Sequence, residues 1–136
     1  MKKTTFGVII GTRGFFPASL AVEGRKLLLA TLEQLGFDYV ITSEDATPYG
    51  AVETLADARI TAKLFRENYE RIDGIIILST FPCGPDSMVN EIVIRRVKDK
   101  PILNLILDGQ EGTAGLETRL ESFIDIIKYK RNESVG

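Results

Sequence analysis

Two segments hold the residues best suited to chemistry: Gly11-Thr12-Arg13-Gly14-Phe15-Phe16-Pro17 and Thr80-Phe81-Pro82-Cys83-Gly84-Pro85-Asp86-Ser87. Each follows an apolar run and precedes a segment of helical period, so each is expected to end at a helix N-terminus with free backbone N–H groups. Those groups, joined by the Arg13 guanidinium, could hold an anion such as phosphate, sulfate or a carboxylate. The candidate ligand-binding set is Thr12, Arg13, Gly14, Cys83, Gly84 and Ser87. The alternative is a glycine-tolerated turn with Arg13 in solvent, because such helix starts are generic and Gly11-x-x-Gly14 is not a dinucleotide fingerprint. On that reading a phosphate or sulfate found there is adventitious.

Cys83 lies beside Gly84 near an expected helix start, a position that favours a reactive thiolate. It has neither a histidine to act as base nor a second cysteine to resolve a disulfide, and a small residue packed in a loop explains it equally. Asp108, at the end of an apolar run, is either a functional acid or the cap of the next turn. Glu111 and the neighbours Glu44 and Asp45 read as solvated loop charges in preference to a divalent-metal site. Phe15 and Phe16 cannot both enter a small core, so one is expected to cover the sheet end, line a pocket or meet a partner. No catalytic residue, metal or cofactor is assigned.

Composition narrows the chemistry further. The 136 residues contain no histidine and one cysteine. This removes Ser-His-Asp and Cys-His pairs, histidine-based zinc sites, cysteine-rich metal motifs and an intrachain disulfide. With 44% hydrophobic and 26% charged residues the chain is ordinary for a folded domain, and its length fits one core. A formal charge of −2, with Lys and Arg dispersed, argues against nucleic-acid or membrane-surface partners. No apolar run is long enough to span a bilayer and no signal-peptide pattern follows Met1, so a soluble, cytoplasmic protein is expected.

The elements that must position these loops alternate between β-branched runs and helical segments, the layout of a parallel sheet covered on both faces. Strands are expected over Phe6–Ile10, Phe37–Thr42, Gly74–Ser79 and Ile102–Leu107. The third is almost entirely Ile and Leu, which suits the sheet centre. A first helix, capped by Ser19 and stopped by Gly36, should bury Leu20, Leu27, Leu28, Thr31, Leu32 and Leu35. A second, from about Ala51 to Tyr69, should bury Val52, Leu55, Ala56, Ile60 and Leu64 and expose Arg59, Lys63, Arg66 and Glu67. A third, capped by Asp86 or Ser87, would bury Val89, Ile92, Val93 and Val97. After a loop over Asp108–Gly115, the last would bury Leu116, Leu120, Phe123, Ile124 and Ile127, and the polar tail Lys128–Gly136 should fray.

Right-handed crossovers then give an α/β fold: a flavodoxin-like three-layer α/β/α sandwich with a four-stranded parallel sheet in the order 2-1-3-4. The switch point lies between strands one and three, where the two candidate loops meet. The fourth strand would be an apolar, unpaired edge, so a homodimer contact or a covering C-terminal segment is expected there.

The run Gly7-Val8-Ile9-Ile10-Gly11-Thr12-Arg13-Gly14-Phe15-Phe16-Pro17, with Glu23-Gly24-Arg25 and Gly74-Ile75-Ile76-Ile77, resembles the flavodoxin-like N-terminal domain of L-fucose isomerase-like and arabinose isomerase-like sugar isomerases. The resemblance implies a domain that frames a sugar site across subunits, with Arg13 as a substrate-framing residue; manganese ligands and acid/base carboxylates belong to that family's later domains. From Ser79 onward the chain resembles 2-hydroxyacyl-CoA dehydratase components and their activator-associated proteins. The matching residues are Phe81-Pro82-Cys83-Gly84-Pro85-Asp86-Ser87, Lys100-Pro101-Ile102-Leu103-Asn104-Leu105 and Ala114-Gly115-Leu116-Glu117-Thr118-Arg119-Leu120-Glu121-Ser122-Phe123. That family holds an iron–sulfur cluster through several cysteines, of which only Cys83 has a counterpart, and one thiolate cannot hold a cluster. The two resemblances lead to the expectation of one domain over 1–136 made as an engineered chimera, with an isomerase-like fragment 1–78 and a dehydratase-like fragment 79–136. Such a scaffold would have no catalysis of its own. The alternatives are a small-anion binding module and a subunit remnant of an isomerase or dehydratase assembly.

Overall fold

The computed structural model describes residues 3–11, 18–79, 100–106 and 113–135. Four strands form one parallel sheet: β1 (Thr5–Gly11), β2 (Asp38–Ile41), β3 (Gly74–Ser79) and β4 (Ile102–Ile106), in the spatial order β2-β1-β3-β4. Three described helices accompany them: α1 (Ala18–Gln34), α2 (Leu55–Glu67) and α3 (Thr113–Val135). The fold is therefore the flavodoxin-like α/β arrangement that the alternating pattern requires. The helix expected over Asp86–Val97 lies outside the described residues.

Every residue of β1 and β3 is buried. Such continuous apolar runs can be stable only where both faces of the sheet are covered, and the packing divides accordingly. Phe6, Val8, Ile10, Ile76 and Leu78 pack with Leu28 and Leu32 of α1 and with Leu120, Phe123 and Ile127 of α3. On the opposite face Ile9, Ile75 and Ile77 pack with Ala58 and Phe65 of α2. Phe6 anchors the first layer, edge-on to Phe37 at 5.5 Å and stacked on Phe123 at 5.9 Å between centroids.

Helix α1 begins at Ala18, so Ser19 sits exposed inside its first turn and is not its cap. Leu28, Thr31 and Leu32 are buried as expected, Leu27 and Leu35 are half-buried, and Ala21, Gly24 and Arg25 extend the buried stripe. The helix stops at Gly36, whose φ of +83° lets the Phe37 N–H reach Leu32 O at 2.9 Å and the Gly36 N–H reach Glu33 O at 3.1 Å. These paired bonds satisfy the terminal carbonyls. Strand β2 then follows, shorter at each end than the expected Phe37–Thr42.

The second helix departs most from expectation. It begins at Leu55, not Ala51, because Thr54 and Asp57 form a reciprocal capping box: Thr54 Oγ1 accepts from the Asp57 N–H at 3.1 Å, while Asp57 Oδ2 accepts from the Thr54 N–H at 3.1 Å. Val52 belongs to the sheet, donating its N–H to Ile10 O at 2.7 Å and bridging to Gly11. The later start is accompanied by a different buried face. Asp57, Ala58, Thr61 and Phe65 are buried, whereas Leu55 and Ile60 are 44% and 42% exposed, Ala56 is exposed and Leu64 is half-buried. Arg59, Lys63, Arg66 and Glu67 do face solvent.

At the C-terminal end, Leu116, Leu120, Phe123, Ile124 and Ile127 of α3 are all buried. Helix α3 starts inside the expected loop, at Thr113, and continues through the expected fraying tail to Val135. Lys, Arg and Glu in that tail are good helix formers, so polarity alone does not end the helix. The fourth strand ends at Ile106 among the described residues, and Leu107 lies outside them.

The face assignment of α2 gives a direct test. Ile60→Ser should change unfolding free energy by no more than about 0.5 kcal/mol, the usual scale for exposed positions. Phe65→Ala should cost about 3–5 kcal/mol. Urea denaturation of the two variants measures both, and a larger loss for the Ile60 variant would reverse the face assignment.

Candidate functional site

In open parallel sheets the carboxyl ends of the strands on either side of the switch point form the ligand crevice. That point lies between β1 and β3, and their last residues, Gly11 and Ser79, are register partners. Thr12, Arg13, Gly14, Cys83, Gly84 and Ser87 themselves lie outside the described residues, as do Phe15, Phe16, Asp108 and Glu111.

The described part of this end is built by the segment from Thr42 to Thr54. The capping box fixes its far end, the Val52 bridge ties it to β1, and the hydroxyls of Thr42 and Thr61 meet at 2.7 Å beneath it. Between them lies a 3-10 turn, Pro48–Gly50, which contains two consecutive left-handed residues, Tyr49 at φ 61° and Gly50 at φ 67°. A left-handed tyrosine is uncommon and is maintained only where its surroundings over-determine it. The residue is 51% exposed.

Arg25 lies beneath this turn. Its position on the buried stripe of α1, between Ala21 and Leu28, carries the guanidinium under the turn, where the residue is only 8% exposed. Arg25 Nη1 donates to Thr42 O at 2.9 Å, and Nε lies 3.5 Å from Glu44 Oε1. A Cβ on Gly50 would lie 2.1 Å from Arg25 Nη1 and 2.9 Å from Thr42 O, so the turn can close over the guanidinium only with glycine there. Glu44 is consequently an ion-pair partner as well as an exposed loop charge, while Asp45 is exposed. Thr47 Oγ1 is buried with no hydrogen-bond partner among the described residues.

This arrangement orders the backbone from Thr42 to Thr54. Among the described residues no three His, Cys, Asp or Glu side chains form a metal-holding group, so no step through a metal follows from it. The sequence reading missed Arg25, Thr42, Thr47, Tyr49 and Gly50. The signal for Arg25 was present, since an arginine four residues after Ala21 and three before Leu28 falls on the apolar stripe.

Two further concavities lie elsewhere. A polar notch of about 350 Å³ at the amino end of the sheet is lined by Lys3, Glu33, Phe37, Asp38, Tyr39 and Arg71. In it Tyr39 Oη donates to Glu33 Oε1 at 2.7 Å, and that bond holds the phenol pKa above its ordinary value, with burial and the Glu33 charge adding to it. The other is an apolar groove of about 560 Å³ between β4 and α3.

The model of the fucose/sulfoquinovose isomerase N-terminal domain matches residues 7–129, which include β2, β3, β4, all of β1 but its first two residues, and most of α3. The chain belongs to this family. No curated protein and no solved structure matches it significantly. As in the expectation from Gly7–Pro17, the sugar-isomerase resemblance holds for the N-terminal half. A fucose/sulfoquinovose isomerase N-terminal domain that closes one sheet end with Arg25 and Gly50 makes two measurable demands on its residues.

Arg25→Met leaves Thr42 O without its donor and should cost about 1–3 kcal/mol, the penalty for an unpaired buried acceptor; thermal and urea unfolding test this. Glu33→Ala removes the bond and charge that raise the Tyr39 pKa, so phenolate absorbance from Tyr39 should develop at lower pH in the variant than in the parent. An unchanged pH titration would exclude Glu33 as the cause.

Proposed function

We propose that this chain is a flavodoxin-like framing scaffold without catalytic activity of its own. The observation that carries the reading is the use of charge at the described carboxyl end of the sheet. Arg25 is taken up by Thr42 O and Glu44, and Asp57 by the backbone N–H groups of Glu53 and Thr54. Neither is left to act on a substrate, and a chain without histidine has lost the commonest general base near neutral pH. Membership of the isomerase N-terminal family supports a framing role, with the chemistry belonging to other parts of such an enzyme.

The same proposal includes the two-fragment origin, with an isomerase-like segment over 1–78 and a dehydratase-like segment over 79–136 in an engineered chimera. Its support is the placement of the junction. Residue 79 ends β3, whose pairing runs without interruption to β1 on one side, from Phe6↔Gly74 to Gly11↔Ser79, and to β4 on the other, from Ile75↔Ile102 to Ser79↔Ile106. A splice at a strand end preserves both registers.

A second reading, a small-anion site formed by Thr12, Arg13, Gly14, Cys83, Gly84 and Ser87, is favoured by one observation: the partnered residues Gly11 and Ser79 launch both segments from adjacent strand ends. One set of measurements separates the readings. The purified chain with manganese should not turn over L-fucose or sulfoquinovose, anaerobic reconstitution with iron and sulfide should give no chromophore, and millimolar phosphate or sugar phosphate should not raise the melting temperature. Sugar turnover removes the scaffold reading. A shift of several degrees with phosphate, abolished in Arg13→Ala, establishes the anion site.

A further inference from the structure

We infer that two copies of this chain pair through β4, antiparallel about a two-fold axis at Asn104, to make one continuous sheet. The observation is in the strand itself. β4 reads Ile102-Leu103-Asn104-Leu105-Ile106, the same in both directions. A two-fold interface must be complementary to its own copy. Antiparallel pairing centred on Asn104 meets that condition residue by residue: Ile102 faces Ile106, Leu103 faces Leu105, and Asn104 faces its own copy.

The backbone has the phase this pairing needs. The Ile75 N–H bonds to Pro101 O at 2.9 Å, and Ile75 is the register partner of Ile102. Groups alternate along a parallel ladder, so Leu103 and Leu105 direct their N–H and C=O toward β3, while Ile102, Asn104 and Ile106 direct theirs outward. A two-fold axis at Asn104 makes it the central hydrogen-bonded pair and Ile102 with Ile106 the flanking ones, about six backbone bonds in all. Centring on Leu103 or Leu105 keeps the backbone phase but sets Asn104 opposite an isoleucine and pairs only two of the three outward residues within the strand.

The edge also lacks what keeps solitary edges apart. None of its five residues is charged, none is proline, and no described strand pairs with its outer side. Beside it runs the apolar groove against α3, where Leu103 is half-buried and Ile126 is 50% exposed. In the paired sheet the two α3 flanks lie on one face across the axis, so Ile126 and Ser122 of each copy approach the other and Leu103 loses its remaining exposure. Asn104 fixes the register: a slip of two residues would set each amide against an isoleucine and leave it without a partner.

The test uses the whole 136-residue chain. Sedimentation equilibrium from micromolar to millimolar should find a two-copy species and none larger. Over the same range, amide hydrogen exchange should slow at Ile102, Asn104 and Ile106, while Leu103 and Leu105, already bonded to β3, change little. Asn104→Lys places two ammonium groups opposite each other and should weaken association about fivefold or more. A chain that stays monomeric at millimolar concentration overturns the inference, as does a dimer without that alternating pattern. Protection of the three outward amides at a concentration where sedimentation finds only monomer overturns it too, since the chain would then cover its own edge. A folded Asn104→Lys variant that associates as tightly as the parent does the same; if that variant fails to fold, the exchange pattern of the parent chain decides alone.

Discussion

The pairing of β1 with β3 is the constraint on which the other contacts depend. Six residue pairs, from Phe6↔Gly74 to Gly11↔Ser79, hold two strands that have no exposed residue between them. A strand buried on both sides cannot slip by one residue without exchanging the side chains given to each layer, so this register also sets where the helices dock. Ile10 and Ile76 turn toward α1 and α3, and Ile9 and Ile77 toward α2. The same register ends both strands at one level, with Gly11 opposite Ser79.

How much of this was legible in the sequence follows from how each element is stabilised. Strand β3 and the apolar repeat of α3 were readable residue for residue, because a run of isoleucines or a sustained helical period admits few other arrangements. Helix α2 was not. Val52, Leu55, Ala56 and Ile60 make a plausible stripe, yet Val52 is buried in the sheet ahead of the helix, Leu55, Ala56 and Ile60 are exposed, and the helix buries Asp57, Ala58, Thr61 and Phe65. The competing forces were local and polar. Asp57 is held by the capping box, Thr61 by the Thr42 hydroxyl, and Val52 by the carbonyl of Ile10. Hydrophobic counting gives no weight to such bonds, although each removes an otherwise costly buried polar group.

The candidate site shows the same division. Sequence reasoning went to glycine-rich turns and the lone cysteine, features that stand out in a list of residues. The described architecture is organised by Arg25, which looks like a surface residue until its place on the stripe of α1 is considered. Beneath the 3-10 turn it supplies a donor for Thr42 O, and its bulk leaves no room for a side chain on Gly50. Tyr49, beside that glycine, holds the other left-handed position of the turn.

This cation also orders the described part of the sheet end. A buried guanidinium left unpaired would be strongly destabilising, so the fold must provide acceptors for it. Thr42 O and the Glu44 carboxylate do so, and the segment carrying both is pinned at Val52 and at the Thr54–Asp57 box. Groups fixed in this way gain positional precision and lose availability, since a carboxylate already paired with a cation is a poor base for a substrate proton. On the proposed scaffold reading, groups fixed in this way suit the framing of a ligand held by other residues better than the performance of its reaction.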